Sequence, residues 1–179
     1  MTTANKLTIF RVVLIPVFLV LAYLGQRYWA LAVFVIASLT DLLDGYVARR
    51  YNQITDFGKF MDPLADKVLV MAAMCYFVEV GRMPGWVLAI VLLREFAVSG
   101  MRLVAVEQGR VIAAAWSGKV KTAATMVCLC LMLFFPAPEP WDSAPDFAAQ
   151  ISSAVILVTT VYSGIEYFWK NRDVFRHVD

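Results

Sequence analysis

Two stretches in the first half of the chain decide the fold: Tyr28–Arg49, YWALAVFVIASLTDLLDGYVAR, and Met61–Val80, MDPLADKVLVMAAMCYFVEV. Each is close to the ~20 residues that a helix needs to cross a bilayer. The first is apolar until its last third, where Asp41, Asp44 and Arg49 stand; the second opens with Asp62, Asp66 and Lys67 and is then apolar up to Glu79. Only the dozen residues between Arg49 and Asp62 separate the two polar ends, so the two helices are expected as antiparallel neighbours. Working outward, further apolar runs lie at roughly 8–25, 84–107, 111–135 and 147–170, each again near ~20 residues. With 28–49 and 61–80 they make six spans. The expected fold is all-α: a polytopic membrane protein of six transmembrane helices in a single domain, residues 1–179. Met1 to Arg11 mixes Asn5, Lys6 and Arg11 with Leu7, Ile9 and Phe10, a pattern suited to a short helix on the membrane surface.

Composition agrees. Hydrophobic residues make up 61% of the chain and charged ones 17%, against about 45–50% and about 25% in ordinary soluble domains. One aqueous core cannot absorb that excess at this length, whereas a bilayer can. The N-terminal run is basic and then apolar, like a signal peptide. It lacks a convincing small-residue cleavage site and further spans follow, so it reads as a retained first helix. Cys75, Cys128 and Cys130 sit in apolar runs and read as small packing residues.

The net charge is only +2, but its distribution is informative. Fourteen of the sixteen Lys and Arg fall into four groups: Lys6 and Arg11, Arg49 to Lys67, Arg94 to Lys121, and Lys170 to Arg176. The connections between them carry Arg27, Arg82, and no base at all from Pro136 to Asp146. Basic residues near span ends mark the cytoplasmic side, so both termini are expected inside. Helix alternation then brings Asp41, Asp44, Asp62, Asp66, Arg94, Glu95, Arg102, Lys119 and Lys121 to the inner half. Ionisable groups at membrane depth are costly and usually face an interior or a water-filled cavity. The expectation is a polar cavity open to the cytoplasm over a dry outer floor.

Asp41 and Asp44 are three apart, and Asp62 and Asp66 four apart, so each pair shares a helix face. Four carboxylates packed together would repel and mostly protonate; divalent cations relieve that conflict. All-oxygen ligation favours a hard ion, and phosphate chemistry favours Mg²⁺ or Mn²⁺ among these. Four carboxylates have room for two ions, as in sites that clamp both the attacking and leaving oxygens. Gly45 and Ala48 remove bulk one turn beyond the first pair, and Arg49 offers a fork for phosphate oxygens. The plain alternative for any single aspartate here is a helix-end ion pair with a neighbouring Arg or Lys.

The pattern Asp-x2-Asp-Gly-x2-Ala-Arg-x8-Gly-x3-Asp-x3-Asp, met here at all eight fixed positions over 26 residues, resembles the signature of the CDP-alcohol phosphatidyltransferase family. The resemblance implies that Asp41, Asp44 and Asp62 hold two metal ions. Asp66 would be the general base and also touch a metal, while Asp41, Gly45, Ala48, Arg49 and Gly58 would contact the CDP moiety. It also implies a homodimer. Asn5-Lys-Leu-Thr8 with Arg11 and Pro16, Arg94-Glu95 with Ser99-Gly100-Met-Arg102, and Gly118-Lys119-Val-Lys121-Thr122 resemble the branch of that family that makes phosphatidylglycerophosphate. On that resemblance the substrates would be CDP-diacylglycerol and glycerol 3-phosphate. Arg94, Arg102, Lys119 and Lys121 supply the positive charge that an anionic acceptor needs; the bland reading of each is an ordinary interfacial charge.

The only histidine is His177, near the C-terminus. That argues against a Ser-His-Asp hydrolase and against transfer through a phosphohistidine, and leaves proton transfer to carboxylates. Membrane lipid is an expected partner and nucleic acid is not. The expected location is the bacterial inner membrane, with the active site facing the cytoplasm. Two rivals remain: the same chemistry with another acceptor (inositol phosphate or serine), and a cation transporter using the aspartates as ion sites. A transporter needs a route out on both sides, and the outer halves offer almost no polar groups.

Overall fold

A computed structural model describes the backbone of residues 3–51, 56–110, 112–113, 115–137 and 146–177, and the side chains of 9–40, 67–110, 112–113, 115–137 and 146–174. All regular structure among these residues is helical. The helices are α1 (Thr3–Tyr23), α2 (Arg27–Tyr51), α3 (Asp56–Glu79), α4 (Gly85–Glu107), α5 (Trp116–Phe134) and α6 (Phe147–Lys170), followed by a short 3-10 helix, Arg172–His177. Each of the six expected spans corresponds to one helix. Two of them, α5 and α6, are long and apolar enough throughout to cross a membrane, and Ile9–Tyr23 and Arg27–Thr40 are shorter apolar stretches. Helix α4 has the length but carries Arg94 and Glu95 at its middle and Arg102 in its second half.

The chain divides into two compact units, residues 1–80 with 130–136, and residues 81–129 with 137–179. In the first unit α1 packs against α2 and α3, and α2 also touches α3. The buried positions of α1 fall at helical spacing, Arg11, Ile15, Phe18 and Ala22; they meet Ala30, Phe34 and Ala37 of α2 and Leu69, Ala73 and Phe77 of α3 in the unit's core. The rings of Phe18 and Phe34 lie 5.6 Å apart. Helix α1 ends in a left-handed residue, Gly25 (φ 73°), with Gly25 N–H donating to Ala22 and Gln26 N–H to Leu21. This glycine-terminated closure reverses the chain at once, so α2 starts at Arg27. Tyr76 Oη donates to the Ala22 carbonyl at 3.2 Å, and Tyr23 donates to Glu79. The C-terminal ends of α1 and α3 therefore lie together, and α2 runs opposite to both. Helix α1 is continuous from Thr3, through the segment read as a surface helix.

In the second unit α4 packs on α6 and on the 3-10 helix. Contacts run in the same order along both helices. Arg82 meets Asp146 ahead of them, Arg94 lies against Gly164, Arg102 meets Tyr167, and Gln108 donates to the Val174 carbonyl. Helices α4 and α6 are thus parallel. Helix α5 is opposed to them, since Gly118 sits by Arg94 while the Cys128 thiol pairs with Ser152 near the start of α6.

The fifth span reads too long in sequence. Helix α4 closes on Gly109 (φ 72°), whose N–H donates to Val106 while Arg110 N–H donates to Ala105. Helix α5 then begins only at Trp116. Ile112 and Ala115, apolar residues that extend the helical pattern in sequence, instead pack on a cluster of Val98, Met101, Ala105, Tyr167 and Val174.

Burial on α6 is inverted relative to a water-soluble helix. Its buried face is mostly small or polar, with Ala149, Ser152, Ser153, Thr160, Ser163 and Gly164 beside Ile156 and Tyr167, while Ile151, Val158, Tyr162, Ile165 and Trp169 are exposed. The outward face of α4 shows Leu93, Phe96, Leu103 and Val106 at 61–70% exposure. Small residues inside and large apolar ones outside suit a helix whose solvent is hydrocarbon.

Candidate active site

In the first unit Asp41, Asp44, Gly45, Ala48 and Arg49 lie on α2, and Gly58, Asp62 and Asp66 on α3. Their side chains lie outside the described residues, but the helix directions place their backbones. The end shared by Tyr23, Arg27 and Glu79 is a common origin. At about 1.5 Å per residue, Asp41 is about 21 Å from it along α2 and Asp66 about 20 Å along α3. Asp44 and Asp62 are both about 26 Å from it on the same scale. Two adjacent antiparallel helices thus carry their aspartates as two matched levels, one helical turn apart. Arg11 on α1 stands close by, about 18 Å from the same end, and its side chain is fully buried. The donor chemistry at these levels is all carboxylate oxygen, which fits a hard divalent ion.

In the second unit the basic residues separate into distinct settings. Arg94 on α4 and Lys121 on α5 converge on Glu95: Arg94 Nη1 donates to Glu95 Oε1 at 2.9 Å and Lys121 Nζ to the same oxygen at 2.6 Å. All three side chains are largely buried. The Arg94 side chain lies against two glycines: a Cβ at Gly164 would lie 3.3 Å from its Cγ, and one at Gly118 3.5 Å from Nη2 of its guanidinium. Lys119, two residues before Lys121, points elsewhere as helical geometry requires, and is exposed. Arg102, eight residues beyond Arg94, is also exposed; its Nε donates to Tyr167 Oη at 3.1 Å and its guanidinium lies 5.6 Å from the Tyr167 ring centre. Of the four expected acceptor residues, the structure brings Arg94 and Lys121 together and sets Arg102 and Lys119 apart from them.

Three residues here escape a reading by charge alone. Glu95 pairs with two bases at once. Gly164 and Tyr167 bear no charge, yet one makes room for Arg94 and the other holds Arg102. Their signal in the sequence is the run of small residues at helical spacing on α6, the mark of a close helix–helix contact.

At the other end of this unit Arg82 forms a two-point pair with Asp146, Nε to Oδ2 at 2.6 Å and Nη2 to Oδ1 at 3.2 Å. Asp146 also caps α6, accepting from Ala149 N–H at 3.0 Å. Burial raises the Asp146 pKa, but the Arg82 guanidinium and the Ala149 N–H outweigh it and hold the carboxyl below its ordinary value.

A family model for CDP-alcohol phosphatidyltransferases matches residues 1–163, both aspartate pairs and the Arg94–Lys121 cluster included. The chain belongs to the CDP-alcohol phosphatidyltransferase family. Among phosphatidyltransferases, it is 39% identical to the CDP-diacylglycerol–glycerol-3-phosphate 3-phosphatidyltransferase of Bacillus subtilis over 96% of each chain. The protein of the same name from Escherichia coli K12 is 40% identical over 90% of each chain. A probable phosphatidylglycerophosphate synthase of Mycobacterium tuberculosis H37Rv is 37% identical, over 92% of this chain and 78% of its own.

Proposed function

We propose that this phosphatidyltransferase moves the phosphatidyl group of CDP-diacylglycerol onto glycerol 3-phosphate, in phospholipid biosynthesis. The observation that carries the reading is the full-length similarity to relatives named for that reaction. The acceptor hydroxyl oxygen bonds to the phosphatidyl phosphorus, and the bond from that phosphorus to the CMP oxygen breaks. The electron pair leaves with CMP, and phosphatidylglycerophosphate is the product.

The family's chemistry divides over this chain's residues as follows. Asp41, Asp44, Asp62 and Asp66 would hold two Mg²⁺ or Mn²⁺ ions, which supply positive charge to the phosphoryl oxygens and the leaving group. Asp66 takes the proton from the attacking hydroxyl. Gly45, Ala48 and Gly58 leave the backbone open to the cytidine end, and Arg49 with Asp41 completes the CDP contacts. Arg94 and Lys121 bind the acceptor phosphate, with Arg102 and Lys119 adding to the attraction that draws it in. The acyl chains stay in the bilayer. The reading places six spans in the cytoplasmic membrane with the site on the inner side. Alternating helix directions in each unit, the distribution of Lys and Arg, and the apolar outward faces support it. A homodimer follows from the family resemblance.

The test is purified protein with CDP-diacylglycerol, Mg²⁺ or Mn²⁺, and a panel of glycerol 3-phosphate, inositol phosphate, serine and glycerol. CMP release and lipid product should appear with glycerol 3-phosphate. Equal turnover with free glycerol, or faster turnover with another acceptor, would overturn the acceptor assignment. Metal uptake into vesicles without lipid product would favour a transporter instead.

A further inference from the structure

Glu95 takes no part in the reaction just described, yet two of the cations assigned to the acceptor meet on one of its oxygens. That oxygen accepts from Arg94 of the same helix at 2.9 Å and ties α4 to α5 through Lys121 at 2.6 Å. Side-chain exposure is only 13% for Arg94, 14% for Glu95 and 8% for Lys121. Two bases this buried need a counter-charge, because an uncompensated ion in such a place is strongly unfavourable. Among the described residues one carboxylate faces two bases here, a balance that suits an anion.

The donors left over point the same way. Each cation spends one N–H on Glu95, and an ammonium has three donors and a guanidinium five. Arg94 Nε is buried and has no hydrogen-bond partner. Buried polar atoms are nearly always satisfied, so this one marks a place for an acceptor oxygen that arrives with a ligand. Gly164 and Gly118 confine the same side chain from α6 and α5. Arg94 is thus confined at its stem by α6 and at its tip by α5 and Glu95.

We propose that Glu95 is the positioning residue of the acceptor site: it fixes Arg94 and Lys121 at a set separation, with their remaining donors available to the phosphate of the acceptor alcohol. This rests on the reading that these two bases hold that phosphate. Without Glu95 both long side chains regain their rotamers, and binding must immobilise them again. The Glu95 carboxylate would repel the incoming phosphate if its charge were what mattered. Positioning and charge therefore predict opposite signs.

The experiment measures initial rates of the full-length protein in mixed micelles, with CDP-diacylglycerol and Mg²⁺ saturating and glycerol 3-phosphate varied. Glu95→Ala should raise the acceptor KM about tenfold and leave the KM for CDP-diacylglycerol unchanged. Glu95→Gln keeps an oxygen in the same place and should return the acceptor KM to within about threefold of the parent. A poorly folded variant lowers Vmax but not KM, so misfolding cannot imitate the result. An acceptor KM that is unchanged or lower in Glu95→Ala overturns the positioning role. Arg94→Gln and Lys121→Gln separate the two readings: if they raise the acceptor KM and Glu95→Ala does not, only the inference about Glu95 fails. If they too leave it unchanged, the acceptor assignment falls with it.

Discussion

Asp146 does two jobs at once, and two substitutions pull them apart. Asparagine caps a helix about as well as aspartate, so Asp146→Asn keeps the bond from Ala149 N–H and removes only the charge opposite Arg82. The side chains of the pair are 11% and 18% exposed, so solvent screens them little. A hydrogen bond to a charged group contributes about 1.5–3 kcal/mol. For a chain of this size each kcal/mol moves Tm by roughly 2–4 °C, so Asp146→Asn should lose about 3–12 °C. Asp146→Ala also removes the cap, a further ~1 kcal/mol, and should melt about 2–4 °C lower still. The assay is thermal unfolding in detergent micelles, with Arg82→Ala and the double variant completing a cycle. The cycle matters because Arg82 has other contacts, and only the non-additive part belongs to the pair. The pH dependence has a definite sign. The folded carboxyl has a pKa below its unfolded value, so its contribution is complete above the unfolded pKa of about 3.9. It is lost as pH falls through the folded value. The gap between parent and Asp146→Asn should therefore hold from pH 8 to 5 and close below about pH 4. Additive single variants, or a gap that persists into acid, would refute the account.

Four further outcomes are expected. Asp41→Asn, Asp44→Asn and Asp62→Asn should weaken metal binding, with turnover partly restored by excess Mn²⁺. Asp66→Asn should lose about 10²–10⁴-fold in kcat at saturating metal, and rescue of that variant by Mn²⁺ alone would make Asp66 a ligand rather than the base. In a background without Cys75, Cys128 and Cys130, single cysteines at Gln53 and near the C-terminus should be labelled only from the cytoplasmic side, and one at Ser143 only from outside. Labelling of both loops from one face would sink the six-span topology. Gly164→Val should push the Arg94 stem, since even a Cβ there lies 3.3 Å from its Cγ. It should raise the acceptor KM more than that of CDP-diacylglycerol, and a variant with the parent's acceptor KM would show that Arg94 has room to spare.

The helix count and order could be read from the sequence because apolar runs of bilayer length are long and well punctuated. Gly25 and Gly81 end α1 and α3 in the left-handed conformation, as tight outer turns suggest. The fifth span misled because Val111 to Ala115 is as apolar as a helix. Gly109 ends α4, and Ile112 and Ala115 are taken up by a packed cluster on α4, α6 and the 3-10 helix. The aspartate spacing predicted two faces, and helix directions add that the pairs match in level. The basic residues were harder. Periodicity distinguishes Lys119 from Lys121, but nothing local says that Arg94 and Lys121 meet on Glu95 or that Arg102 rests on Tyr167. Those are contacts across 26 and 65 residues, set by helix packing rather than by neighbours in the chain.

The three-residue reversal at Leu24 to Gln26 bears on how the enzyme is made. With so short a link, α1 and α2 find one another as a hairpin, a contact of low loop-closure entropy. Helix α3 then needs only to return beside α1. Every residue assigned to metal and CDP lies in these first three helices, within the first 80 residues. Translation at about 5–20 residues per second leaves about 5–20 s before the remaining 99 emerge. The aspartates would thus be brought together in the membrane while the acceptor end is still on the ribosome. Ribosome-bound chains stalled beyond α3 should already resist protease across the α1–α2 turn. On the proposed reading, carboxylates gathered that early would meet a divalent ion before they meet any substrate.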